Sequence, residues 1–305
     1  CAAGARLTPA KGRRYPRAMP PISMEKRANP DLEAKREALE ARLRAAGRTL
    51  VAVSGGGDSS YLAFAAHRAL GSDMLAVTAV SPSYPRDHRE MAERVVADYG
   101  IPHEFIETRE MESDAYRRNA PDRCYHCKSE LFDRLGQLRD ERGFASVAYG
   151  VNTDDTGDFR PGHRAADERG VLSPFLDVAL SKQEIRDLSR EVGLPTADLP
   201  SSACLSSRLP YGTEVTTERL AQVEEGERRL RALGFVQVRL RHHGELARVE
   251  VEPSELARAL DPAMAPRIAA AIKPLGFRYV SLDLEGYRSG SLNEVLFIHR
   301  ETPAS

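Results

Sequence analysis

The chain has 305 residues, enough for one large domain or two modest ones, each with its own core. Its 44 Lys and Arg balance 45 Asp and Glu, which argues against a dedicated nucleic-acid binder, and four cysteines are too few for a disulfide scaffold. No apolar run is long enough to span a bilayer and no charged-then-apolar signal opens the sequence, so the expected setting is cytoplasmic, with no membrane partner.

Residues Cys1 to Ser23 are Arg-, Pro- and Ala-rich without an apolar period. They read as a disordered leader, or as an extension upstream of a chain beginning at Met24, which makes Cys1 irrelevant. The apolar run Leu50–Val53, the glycines after Ser54 and the stretch to Leu70 give strand, turn and helix. A second strand covers Met74–Val80. Met91, Val95 and Tyr99 stripe a helix from Arg86 to Tyr99, closed by Gly100 and Pro102. Glu104–Thr108 is the next strand, Leu131, Leu135 and Leu138 mark a helix, and Ser146–Tyr149 is a strand. Ser181 and Glu184 form a capping box on a helix that stops near Gly193 and Pro195. Alternating strands and helices predict an α/β, doubly wound, mainly parallel sheet over 24–209. Beyond Pro210 the pattern changes. A helix over Glu218–Leu233 precedes Val236, Val238 and Leu240 alternating with Gln237, Arg239 and Arg241. The turn at His243–Gly244 and the run Ala247, Val249, Val251 complete a half-buried hairpin with both arginines on its wetter face. Tyr279–Leu284 and Val295–Ile298 add strands, so 210–305 is expected to be a smaller α+β domain for substrate or oligomer contacts.

The chemistry concentrates in three places. Ser54, Gly55, Gly56, Gly57, Asp58, Ser59 and Ser60 join a strand to a helix start, where backbone N–H groups and hydroxyls can close around phosphate oxygens. Asp58 can hold Mg2+ bridging the leaving pyrophosphate. No Gly-Lys-Ser/Thr follows, so this is not a Walker loop. It resembles the signature of the PP-loop ATP pyrophosphatases, which cleave ATP to AMP and pyrophosphate. Cys124-Tyr125-His126-Cys127, between Arg123 and Lys128 at a helix start, can share a metal or cluster. Positive flanks and a helix N-terminus there would also lower a thiol pKa. Cys204 lies in a loop of small polar residues with Arg208 near and reads as a reactive thiol. The eight histidines form no metal-ligand spacing.

Read together, Ser54–Ser59, Arg123–Lys128, Tyr149–Asp155, Arg160-Pro161-Gly162, Cys204–Arg208, Arg239–Arg241, Ala247–Glu250 and Leu282–Arg288 resemble the LarE family. These are ATP-dependent sulfur transferases that build the nickel-pincer nucleotide cofactor of lactate racemase, and the resemblance runs over about Leu50–Glu294. It implies an adenine-nucleotide-hydrolase-like fold and adenylation of a pyridinium biscarboxylate mononucleotide, with thiocarboxylate formation. Cys204 matches the family's sulfur-bearing cysteine. Cys124 and Cys127 match the members thought to hold a 4Fe–4S cluster, with Cys204 as third ligand, rather than to sacrifice Cys204 sulfur. Arg208, Glu227, Arg239 and Arg241 are the expected substrate-binding residues, and Asp154 and Asp155 are expected near the site. A homo-oligomer, an unidentified sulfur donor and no nucleic-acid partner complete the expectation. The rivals are a PP-loop tRNA thiolase, an amidating PP-loop enzyme and a nucleotide-binding regulator.

Overall fold

The protein is described by a computed structural model covering residues 30–157, 161–200, 203–288 and 290–291. In chain order come α1 (Pro30–Ala46), β1 (Thr49–Ala52), α2 (Gly57–Leu70), β2 (Met74–Val80), α3 (Arg86–Tyr99), β3 (His103–Glu107), α4 (Asp114–Arg117), α5 (Arg123–Arg142) and β4 (Ser146–Tyr149). They continue with α6 (Pro161–Asp167), α7 (Pro174–Asp177), α8 (Lys182–Glu191), α9 (Thr217–Ala232), β5 (Val238–His243), β6 (Leu246–Val251), α10 (Leu256–Ala259), α11 (Ala265–Ile272) and β7 (Tyr279–Leu282). The expected leader, Arg160 and the strand Val295–Ile298 lie outside the described residues.

The first sheet has the order β3-β2-β1-β4 and every pairing is parallel. The two-residue period of a strand sends neighbouring side chains to opposite faces, and here both faces are covered. Val51, Ala76 and Ala148 join α1, α2, α3 and α8 in one core. Leu50, Val77 and Val147 join Phe132 and Leu135 of α5 and Ala165 and Ala166 of α6 in another. Helices on both sides of a parallel sheet are the doubly wound arrangement. The punctuation read from sequence is in place. Gly100 ends α3 at φ 64, and the Ser181–Glu184 capping box starts α8 with both reciprocal bonds.

The C-terminal layer is a sheet of order β5-β6-β7, antiparallel between β5 and β6 and parallel between β6 and β7. Its core gathers α9, α11, β5 and β6, and it also takes in Tyr116, Leu205 and Leu209. The tightest contact is at Gly226, where a Cβ would stand 2.3 Å from Leu240 Cδ1. The missing side chain lets α9 lie this close to β5 with Leu240 in its present position. The hairpin differs from expectation in one respect. Arg239 and Arg241 are not on a wet face; each is 5 % exposed. The face opposite α9 is covered by the Cys204–Arg208 segment, Tyr287 and Ser291, and Glu227 and Glu250 supply buried counter-charges. Among the described residues, no helix is long and apolar enough to cross a membrane.

Candidate active site

The phosphate loop leaves β1 at the carboxyl edge of the sheet and enters α2. Gly55 has φ 72, and a Cβ there would lie 2.2 Å from the His88 carbonyl oxygen, so this position admits glycine alone. Ser59 braces the turn: its hydroxyl accepts from Ser54 N at 3.0 Å, meets Ser54 Oγ at 3.1 Å and donates to Gly56 O at 3.1 Å. Ser54 and Ser59 thus shape the loop from within, while Ser60 is fully buried. The amides at the start of α2 are left for an anion.

Asp58 opens α2, and Lys182 Nζ donates to its Oδ2 at 3.0 Å and Asn152 Nδ2 at 3.3 Å. Asp154 accepts from the Lys182 amide at 2.5 Å, and Asp155 accepts from Asn152 N at 3.3 Å. The expected neighbours Asp154 and Asp155 therefore brace the residues that touch Asp58. A Cβ on Gly150 would come within 3.0 Å of the Asp58 backbone, which is how β4 delivers Asn152 to the loop. Lys182 was not singled out from sequence, and Asn152 stood within the Tyr149–Asp155 string without a role assigned to it. The available signal was a lysine at the first position of a capped helix.

Arg208 is 1 % exposed and grips Glu227 through Nε at 2.8 Å and Nη2 at 3.1 Å. Glu227 also accepts from Leu240 N and Arg231 Nη2, both at 3.2 Å. Burial alone would raise the Glu227 carboxyl, but the Arg208 charge and hydrogen bonds, aided by Arg239 and Arg231, bring it below its usual value. Arg239 stacks on Tyr287 at 4.9 Å, and burial beside the Arg208 charge pulls its pKa down. Arg241 pairs with Glu250 at 2.9 and 2.7 Å. Five arginines (208, 231, 239, 241 and 248) thus lie about the buried Glu227 and Glu250, with Arg231 also on Asp87 and Arg248 also on Asp283, and the net positive charge suits an anion. Asp87 meets Arg231 at 2.8 Å on the rim of a pocket of about 180 Å³ that His88, Leu205, Arg208 and Glu227 help to line. Burial, then the Arg208 charge, holds His88 down to about 4, so it is neutral at pH 7.

The same arginines hold the Cys204 loop. Arg208 Nη1 donates to Ala203 O at 2.6 Å and Cys204 O at 2.9 Å, and Arg241 Nη1 donates to Ser207 O at 3.0 Å. Leu205 N reaches Ser83 O at 3.0 Å, docking the loop on the segment after β2. Cys124, Cys127 and Cys204 are all free thiols; Cys124 is exposed and the others are half-buried. Arg123, buried at the start of α5, donates from Nη1 to Ser206 O at 2.8 Å, two residues beyond Cys204. The expectation of a lowered thiol pKa fails at Cys127. Burial and the Glu110 carboxylate push it up, outweighing Lys128. Among the described residues, no three metal-ligating side chains converge closely enough for a single ion.

A family model for asparagine synthase matches residues 32–134, which contain the phosphate loop and the Cys124–Cys127 pair. The chain is 44 % identical over 265 residues to the uncharacterized protein slr1717 of Synechocystis, covering 87 % of this chain and 99 % of that one. It is 35 % identical over 266 residues to the pyridinium-3,5-bisthiocarboxylic acid mononucleotide synthase of Lactiplantibacillus plantarum, covering 87 % of this chain and 96 % of that one. The chain belongs to the LarE family. A third relative, the uncharacterized protein MJ0830 of Methanocaldococcus jannaschii, is 32 % identical over 176 residues, 58 % of this chain and 68 % of its own length. LarE membership and the match over the phosphate loop make the chain an ATP-dependent sulfurtransferase of the PP-loop type.

Proposed function

We propose that the chain adenylates a carboxylate of pyridinium-3,5-biscarboxylic acid mononucleotide and converts it to a thiocarboxylate for nickel-pincer nucleotide synthesis. The observation that carries this reading is the grip of Arg208 and Arg241 on the Cys204 loop, inside the arginine-rich cluster that suits an anionic substrate. The substrate's phosphate or carboxylate is read by Arg239 and Arg241, with Arg208 and Glu227 setting the wall behind them. The phosphate loop and Lys182 take the ATP phosphates, and Asp58 would hold the magnesium ion, which when bound neutralises charge on the leaving pyrophosphate. A substrate carboxylate oxygen attacks the α-phosphorus and pyrophosphate leaves. A sulfur nucleophile delivered beside Cys204 then attacks the acyl carbon, and the bond to AMP breaks.

Arg123 Nη1 joins the start of α5, which carries Cys124 and Cys127, to Ser206 O beside Cys204, and three free thiols on these two joined segments have the chemistry of iron–sulfur ligands. Cys124, Cys127 and Cys204 would hold a 4Fe–4S cluster, and when bound it supplies an iron without a protein ligand where an extra sulfide can be carried. The reading includes a homo-oligomeric, cytoplasmic enzyme supplied by an external sulfur donor. The test is anaerobic turnover with ATP, Mg2+, sulfide and substrate, followed by mass spectrometry. AMP, pyrophosphate and thiocarboxylate are expected, with repeated turnover and unchanged protein mass. ADP and phosphate would refute the ATP chemistry. An iron-free, fully active protein lighter by hydrogen sulfide at position 204 would refute the cluster. Thiolated tRNA in place of the small product would refute the substrate.

A further inference from the structure

Two separated segments carry the thiols: the start of α5, and the loop before 205–208. Asn119 ties them together. It is fully buried and sits at φ 55, a left-handed conformation that asparagine tolerates better than most residues. Its Nδ2 faces the carbonyls of Leu209, Pro210 and Thr213 at 3.3, 2.8 and 2.9 Å, and its backbone oxygen accepts from Gly212 N at 3.0 Å. Its Oδ1 accepts from Arg123 Nη1, and the same Nη1 donates to Ser206 O at 2.8 Å. Two flanking bonds reinforce the tie: Tyr116 OH with Ser206 Oγ at 2.6 Å, and Val215 N to Arg117 O at 2.8 Å. Asn119 lies five residues before Cys124, and Ser206 two residues after Cys204. One amide side chain therefore commits its NH2 group and its oxygen to joining the run into Cys124 and Cys127 to the run out of Cys204.

We infer that Asn119, acting through Arg123, is a positioning residue that holds the Cys204 loop in register with Cys124. Conformation and side chain can be separated. Glycine keeps the left-handed backbone but removes every side-chain bond, so Asn119→Gly isolates the tie from backbone strain. Arg123→Lys keeps the charge, but its side chain is one atom shorter, so the ammonium falls short of the Nη1 position that bonds both Asn119 Oδ1 and Ser206 O. The inference rests on the proposed sulfur-transfer role of the three thiols, yet its test does not need turnover.

The experiment uses the full-length, iron-free, reduced protein. A short bifunctional thiol reagent is added, and the Cys124–Cys204 adduct is quantified by peptide mass spectrometry. Thermal unfolding and AMP formation are followed alongside. Wild type is expected to give the Cys124–Cys204 adduct, and Asn119→Gly and Arg123→Lys to give it at least about fivefold more slowly. A cooperative thermal transition and unchanged reactivity of Cys124 towards a monofunctional reagent are expected to persist. No adduct in wild type, or equal adduct rates in wild type and Arg123→Lys, overturns the inference. If Asn119→Gly loses its cooperative transition, Arg123→Lys alone decides. Slower cross-linking in a protein that forms no thiocarboxylate would leave the tie standing and remove the sulfur-transfer reading. Unchanged cross-linking in a protein that does form it would do the reverse.

Discussion

Replacing Glu227 by glutamine probes the electrostatic centre of the C-terminal layer. The carboxylate is 2 % exposed and accepts two bonds from Arg208, one from Arg231 and one from Leu240 N. Glutamine retains the shape and part of the hydrogen bonding but removes the carboxylate charge that pairs with Arg208, itself 1 % exposed. Unit charges about 4 Å apart at an effective dielectric of about 20 interact by about 4 kcal/mol. Stranding one member of a buried pair costs about 3–5 kcal/mol. Arg231 keeps Asp87, so the loss falls chiefly on Arg208. The thermal midpoint of Glu227→Gln, followed by circular dichroism at pH 7, is expected to fall by about 6–20 °C. The sign with pH follows from the depressed Glu227 pKa. Its stabilisation is fully present above the ordinary carboxylate range, near 4.3, and is lost as pH falls through the lower folded value. Wild type and variant should therefore converge in acid. A shift under about 2 °C at pH 7, or a gap that widens in acid, would refute the reasoning.

Lys182→Ala removes a charge-assisted contact of about 1.5–3 kcal/mol, so the KM for ATP should rise about tenfold or more in a pyrophosphate-release assay while the fold is kept. Asp58→Asn should abolish magnesium-dependent AMP formation without lowering the thermal midpoint by more than a few degrees. In Gly55→Ala the added carbon meets the His88 carbonyl, so nucleotide binding by calorimetry should be lost. Burial and Glu110 raise the Cys127 pKa, so the stability tied to its neutral thiol is full below the ordinary thiol range and drains away as pH rises beyond it. Cys127→Ala should make the thermal midpoint of the iron-free protein less sensitive to alkali.

The phosphate loop and its strand–turn–helix setting were legible because glycines and a run of apolar residues punctuate them locally. The same holds for α8, where Ser181 and Glu184 are three residues apart. Alternation failed at Arg239 and Arg241 because period two counts arginine as wet. It cannot know that Glu227 reaches the strand from α9, or that Glu250, opposite Arg239 across the hairpin, turns its carboxylate onto Arg241. Lys182 and Asn152 reach Asp58 across 124 and 94 residues, distances at which no local spacing rule operates. Asn119 was invisible for a similar reason, since its partners lie 90–94 residues on. Cys127 carried the opposite lesson. A helix start beside Arg123 and Lys128 suggested an acidic thiol, but the depth of the site and Glu110 decide its state.

The missing side chain at Gly226 acts as a depth stop for its neighbour. Because α9 settles onto Leu240 at a position with no Cβ, the next residue, Glu227, is carried down to the level of the β5 amide and the Arg208 fork. An alanine at 226 would press on the Leu240 methyl, so either that side chain turns aside or the helix moves outward, and Glu227 is the residue next in line. The Arg208 grip on the carbonyls of Ala203 and Cys204 thus has its carboxylate partner one residue along from a helix position without a side chain.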